Sequence, residues 1–316
     1  MIFQTQIPLK KQTHNLIDYS SKLLLLGSCF SDNIGNKLSF YKFQSSQNPF
    51  GILFHPKAIE TLITNSINKE VYTEKDIFFH NERWHCFDVH SNLSSVDKKE
   101  LLNNLNANIT KTEKKIINSS HIIITLGTSW VYREISSDKI VANCHKIPQK
   151  KFLKELLSVD EITQSLEAII TQIKSVNQKN TILFTVSPVR HLKDGFIENQ
   201  QSKAHLISAI HNVVQTKNNI NYFPSYEIMM DELRDYRFYE EDMIHPNKTA
   251  INYIWKKFSD VWISNEAHKI MNEIELIQKG LAHRPFNPNS EQHQQFLESL
   301  NSKKEKIQEI LPFMKF

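Results

Sequence analysis

Four short, largely apolar runs constrain this chain more than any other feature: Leu23–Leu26, Ile122–Leu126, Ile182–Val186 and Ile220–Phe223. A strand whose successive side chains are nearly all apolar is buried on both faces, as parallel strands are when helices cover the sheet on either side. The stretches between them have a helical period. Residues 160–176 place Ile162, Leu166, Ile169, Ile170 and Ile173 on one stripe, and 199–215 do the same with Ala204, Leu206, Ile207, Ile210 and Val214. After His245-Pro246-Asn247, the residues Ile251, Ile254, Trp255, Phe258 and Trp262 recur at steps of three and four, apart from the adjacent Ile254-Trp255. Strands alternating with sheet-covering helices predict an α/β fold, a three-layer α/β/α sandwich around a mainly parallel central sheet. At 316 residues the chain is long enough to bury such a core.

Two regions break the alternation. Residues 72–92 hold Phe78, Phe79, Trp84, Phe87 and Val89 without a helical period, which predicts an inserted hairpin within about 70–95. From about residue 281, Pro285 and Pro288 precede a polar helical stretch over 290–310. One main domain over 1–280 with a helical tail over 281–316 is the simplest organisation, the tail being either a peripheral helix or a partner-binding appendage. No internal repeat is evident.

The charges exclude some classes of function. Thirty-eight basic against 34 acidic residues leave a net charge of +4, interspersed rather than blocked, so no nucleic-acid partner is expected. No run of about 18 apolar residues marks a membrane span, and the first 20 residues lack the apolar core of a signal peptide. A cytoplasmic location without membrane association is therefore expected. The three cysteines, Cys29, Cys86 and Cys144, form neither a disulfide framework nor a CxxC zinc site. His80, His85 and His90, with Cys86 and Asp88, match no metal-site spacing such as HExxH, and on one extended strand they would split between its faces. No metal and no cofactor is expected.

In an open parallel sheet, ligands collect at the carboxyl ends of the strands. The first apolar run ends in Gly27-Ser28, the second in Gly127-Thr128-Ser129, the third in Ser187-Pro188-Val189-Arg190-His191. A strand-to-helix turn at Ser28 exposes a hydroxyl beside the first amides of a helix, which suits a nucleophile but equally suits a helix cap. Asp242-Met243-Ile244-His245-Pro246 brings a carboxylate and an imidazole within one turn. That is the spacing of a general base with its orienting acid, and also that of an ordinary capped loop. Cys29 is a rival nucleophile, read more simply as a small apolar side chain facing the core. Arg190 and His191 can line a pocket and meet a substrate hydroxyl or carboxylate.

Taken in order, these segments resemble the SGNH, or GDSL-type, hydrolases. In that superfamily the serine follows the first strand, and an Asp and a His three apart lie near the domain's end. More narrowly, Gly27-Ser28-Cys29-Phe30-Ser31 resembles the signature of the GSCFA family, with Ser31 in place of the usual Ala. The likeness extends through Asn48-Pro49-Phe50-Gly51, Leu126-Gly127-Thr128-Ser129-Trp130, Ser187-Pro188-Val189-Arg190, Ser202-Lys203-Ala204 and Asp242-x-x-His245-Pro246, over about residues 20–265. The resemblance implies an SGNH/flavodoxin-like sheet and a triad of Ser28 as nucleophile, His245 as base and Asp242 as orienting acid. The superfamily completes its oxyanion hole with a Gly from a second block and an Asn from a third. Here the third block reads Gly127-Thr128-Ser129, without the Asn. Either Thr128 or Ser129 then supplies a hydroxyl, or Asn48 and Gly51 approach from the second block. The implied activity is a serine esterase or acyltransferase working through an acyl-Ser28 intermediate on a small-molecule or carbohydrate ester. The departure in the third block keeps open a non-catalytic, carbohydrate-binding protein on the same fold, and the insertion a metal-dependent hydrolase. The oligomeric state is not legible.

Overall fold

The computed structural model describes residues 5–316. Its central sheet contains all four apolar runs, as β1 (Lys22–Gly27), β5 (His121–Leu126), β9 (Thr181–Val186) and β10 (Ile220–Phe223). A fifth strand, β2 (Gln44–Gln47), lies on the far side of β1, and the order across the sheet is β10-β9-β5-β1-β2. Every neighbouring pair is parallel; Leu25, for example, is aligned with Gln47 on one side and Ile123 on the other. In chain order this is the 2-1-3-4-5 arrangement of flavodoxin-like sheets.

The runs are apolar throughout because each pleat feeds two cores. Leu24, Leu26, Ile122, Ile124, Ile182 and Phe184 pack beneath α2 (Pro56–Ile67), α3 (Lys98–Asn118), α4 (Val159–Val176) and α5 (Phe196–Val214). Leu23, Leu25, Ile123 and Leu183 face the opposite layer, made of α1 (Cys29–Phe40), α7 (Lys248–Trp262) and α8 (Asn265–Ala282). A single turn, α6 (Ser225–Glu227), follows β10, and α9 (Glu291–Ile310) adds Leu300 and Ile307 to the second core. Local sequence sets the helix starts. Ser158 and Glu161 form a capping box on α4, and Asn247 caps α7 by accepting from the Ala250 amide.

Two small antiparallel units decorate the sandwich. The expected hairpin is β3 (Phe78–His80) with β4 (Arg83–His85), turned through Asn81 and Glu82, whose φ values of 45° and 60° suit a tight primed turn. A second unit had no counterpart in the sequence expectations. It is a three-stranded sheet ordered β7-β6-β8, from β6 (Trp130–Glu134), β7 (Lys139–Val141) and β8 (Phe152–Leu156), inserted directly after the end of β5. Among the described residues, no helix is long and apolar enough to cross a membrane.

Candidate active site

The chain places β2 on one side of β1 and β5 on the other, so the connections leaving β1 and β5 part above the sheet and open a crevice at their carboxyl ends. Gly27 and Ser28 stand there. Gly27 has φ +130°, and a Cβ at this position would fall on the Thr125 carbonyl, so only glycine lets β1 turn out of the sheet here. Ser28 then caps α1: its amide donates to Thr125 O at 3.0 Å, and its Oγ accepts from the Phe30 amide at 3.2 Å. The hydroxyl is thus fixed at the positive end of a twelve-residue helix. Ser31 is held beneath it, its Oγ donating to Leu26 O at 3.0 Å and meeting Thr125 Oγ1 at 2.8 Å.

Asp242 and His245 approach from the loop before α7. Asp242 Oδ1 accepts the amides of Ile244 at 2.8 Å and His245 at 3.0 Å, while Oδ2 lies 2.6 Å from His245 Nδ1. The His245 amide and ring, with the Ile244 amide, hold the Asp242 carboxyl down at about 2, so it is ionised across the neutral range. An ionised carboxylate only accepts, so Nδ1 carries the proton and Nε2 is left as the basic nitrogen. Both side chains are about half exposed. Arg190 braces this loop: its amide donates to Ile244 O at 3.2 Å, its Nη1 to Met243 O at 3.4 Å, and its guanidinium lies 4.1 Å from the centre of the Tyr239 ring.

Ser28 and His245 open on one cavity of about 650 Å³, whose walls also include Thr128, Arg190 and His191. Asp242 lies behind His245, off the wall. Asn48, Gly51, Gly127 and Ser129 do not line the cavity, and their polar groups are already committed. Asn48 Oδ1 accepts from the Gly27 amide at 2.9 Å and its Nδ2 donates to Asp32 at 2.8 Å. The Gly51 amide closes a turn onto Asn48 O. The amides of Gly127 and Thr128 both donate to Phe54 O. The Thr128 hydroxyl meets Ser202 Oγ at 3.0 Å and accepts from the Trp130 amide, and the Ser129 hydroxyl donates to Ser202 O. The Thr128 and Ser129 hydroxyls are thus both engaged with Ser202 on α5, although Thr128 shares the cavity wall with Ser28. Among the first amides of α1, the Cys29 amide faces no carbonyl, only its own sulfur. Cys29 also lines the cavity instead of facing the core, and burial with the neighbouring Asp32 carboxylate pushes its thiol pKa up, away from a reactive thiolate.

Two cationic or basic groups lie at the strand ends. Lys203 is 1% exposed, and its Nζ donates to Gly127 O at 2.6 Å and to Ser187 O at 2.8 Å, tying the ends of β5 and β9 together. No carboxylate among the described residues pairs with it, and burial lowers it to about 7. His191 is lowered to about 3 by burial, with Lys203 and His245 adding to the shift, so it stays a neutral imidazole. The family-like Ser202-Lys203-Ala204 was visible in the sequence, but a lysine inside an amphipathic helix gives no sign that its ammonium is buried.

The histidines of the insertion have structural work. His85 Nδ1 pairs with Ser94 Oγ at 2.6 Å and its Nε2 with His80 O at 3.0 Å, and His90 caps the turn at residues 91–93. Among the described residues, no three His, Cys, Asp or Glu side chains come together in a metal-binding arrangement.

The GSCFA family profile matches residues 22–258, three quarters of the chain and every element that shapes this site. The chain belongs to the GSCFA family. The profile for the C-terminal domain of GSCFA domain proteins matches residues 274–316, covering the second half of α8 and all of α9. Curated protein sequences give no match to this GSCFA chain. Among solved structures it is similar to a Clostridium thermocellum family 3 carbohydrate esterase, with a TM-score of 0.38 and 8% identity over 80% of this chain and 97% of that one. It is also similar to an acetyl xylan esterase from the rumen bacterium Butyrivibrio proteoclasticus, with a TM-score of 0.33 and 10% identity over 84% of this chain and 66% of that one.

Proposed function

We propose that this GSCFA protein is a serine ester hydrolase or acyl transferase working through an acyl-Ser28 intermediate. One observation carries the reading: Ser28, capped on a helix N-terminus, and His245, tautomer-locked by Asp242, open on the same cavity. Ser28 Oγ attacks the ester carbonyl carbon as its proton passes to His245 Nε2. The tetrahedral oxyanion collapses, the bond to the alkoxy oxygen breaks, and His245 returns the proton to the leaving alcohol. Water or another hydroxyl then attacks the acyl carbon, giving its proton to His245, which passes it back to Ser28 Oγ. Asp242 orients His245 and stabilises the imidazolium. The positive end of α1, through the Cys29 amide, is the donor set nearest the developing oxyanion. The open side at His245 suits a polar alcohol such as a carbohydrate hydroxyl.

The commitment of Asn48, Thr128 and Ser129 elsewhere favours a second reading, a carbohydrate-binding protein on the same fold. A fluorophosphonate probe separates the two. Stoichiometric labelling of Ser28, with hydrolysis of p-nitrophenyl butyrate lost in Ser28→Ala, supports the enzyme. An unlabelled protein that binds glycans saturably supports the alternative.

A further inference from the structure

The cavity is far larger than an acetyl ester needs, and its two sides differ in chemistry. Its buried side is built by Phe54, Trp130, Val141, Ala142, Ile147 and Phe152, of which Val141, Ala142 and Phe152 are buried. Five of these six come from the β6–β8 sheet and its loops, the unit inserted after β5. The open side carries His245, about half exposed, with Asp242 behind it.

This asymmetry decides which half of an ester lies where. His245 must return its proton to the leaving oxygen, so the alcohol half departs past the exposed side. The acyl substituent, on the other side of the carbonyl carbon, is directed toward the apolar wall. Two ionisable groups on that wall, His55 and Cys144, are neutral near pH 7. Burial lowers His55 to about 4 and raises Cys144 to about 11. Asp194 is held by Lys154 at 2.7 Å.

We infer that the chamber walled by the β6–β8 sheet receives an uncharged aliphatic acyl chain of medium length, not an acetyl group. This rests on the acyl-Ser28 reading. At about 30 Å³ per water-sized unit, an acetyl group would leave most of the 650 Å³ occupied by water against apolar side chains. An eight-carbon chain takes roughly 240 Å³ on the same scale, over a third of the cavity, and displaces the water lying along the apolar wall.

The test is the order of kcat/KM on p-nitrophenyl esters from acetate to octanoate. It should rise about fourfold per added methylene, the factor for burying one CH2. Ala142→Phe and Ile147→Trp fill the chamber from two points of the β7–β8 connection and should lower the octanoate-to-acetate ratio at least about tenfold. A folding defect lowers both esters together, so the ratio isolates the chamber. A preference for acetate, or a ratio that neither variant moves, overturns the inference. Calorimetric binding of free octanoate to Ser28→Ala tests the chamber without turnover. Octanoate bound by a protein that hydrolyses no ester keeps the chamber and defeats the hydrolase. Ester turnover with no octanoate binding and acetate preferred does the reverse.

Discussion

Replacing Lys203 with Met should abolish a rise in stability with pH that the wild-type protein owes to one buried amine. Lys203 has a usual pKa of 10.5 and is lowered to about 7 in the folded state. Between these values the unfolded chain keeps a proton that the folded protein has released. Stability therefore rises with pH across this window, by at most about 1.4 kcal/mol per pH unit, or about 2–3 kcal/mol from pH 7 to 9. A neutral amine retains two N–H groups, one each for Gly127 O and Ser187 O. Deprotonation thus removes a buried charge without orphaning either carbonyl. Lys203→Met removes both donors, which costs about 1–3 kcal/mol per unsatisfied carbonyl, and also the desolvated charge that opposed folding below pH 7. Burial raises the pKa values of Tyr72, Tyr222 and Cys86, which lowers stability at higher pH, but equally in both proteins. The quantity to measure is the wild-type minus variant unfolding free energy by urea titration at pH 7, 8 and 9. A gap that widens by about 2 kcal/mol or more supports an unpaired buried ammonium, and a flat difference refutes it.

Other perturbations follow from the same geometry. Asp242→Asn keeps the shape but loses the acceptor that fixes the His245 tautomer, and kcat on a short-chain ester should fall on the order of 10³–10⁴-fold with the fold intact by circular dichroism. A smaller than tenfold loss would remove Asp242 from the reaction. Gly27→Ala puts a Cβ onto the Thr125 carbonyl at φ +130° and should cost roughly 3 kcal/mol or more in urea unfolding, with the Ser28 turn lost. Acid should also destabilise the protein. Burial holds His55 and His145 at about 4 and His191 at about 3, so the unfolded chain binds protons first as pH falls below 6.5. The stability they supply is complete above 6.5 and lost toward their folded values, about 2 kcal/mol each by pH 5. Equal urea midpoints at pH 7 and pH 5 would contradict their burial.

How much of this was legible depends on which residues decide each feature by themselves. The four central strands were readable because double-sided burial writes an apolar residue at nearly every position of Leu23–Leu26 or Ile122–Leu126. Strand β2, Gln44-Ser45-Ser46-Gln47, was invisible for the converse reason: it is a half-buried edge whose polar side chains discourage further pairing. The β6–β8 sheet is written in short, mixed segments. Trp130-Val131-Tyr132 has strand character and Ser136-Ser137-Asp138 has turn character, but each is too brief to stand out beside a longer helix. In the site, the Gly27-Ser28 turn and Asp242-x-x-His245 are local patterns, so spacing found them. The oxyanion donors are not local. Whether Thr128 offers its hydroxyl to a substrate depends on Ser202, 74 positions away, and the burial of Lys203 depends on the ends of two strands meeting over α5.

Whether an acyl-Ser28 intermediate is resolved by water or by another hydroxyl turns on how the open side of the cavity treats an acceptor. Ser28 is 1% exposed, while His245, which must take the acceptor's proton, is about half exposed. Arg190 braces the loop behind His245 through Tyr239 and Met243 O. On the proposed reaction, water and small alcohols therefore reach the acyl carbon from solution without a binding site of their own. Partitioning should then follow concentration alone. With a fixed p-nitrophenyl ester and increasing methanol or glycerol, the ratio of transfer to hydrolysis product should rise linearly, with release of p-nitrophenol unaffected where acylation limits the rate. A ratio that saturates would require a preformed acceptor subsite, and would show that the exposed face of His245 is a specific surface and not an opening to solvent.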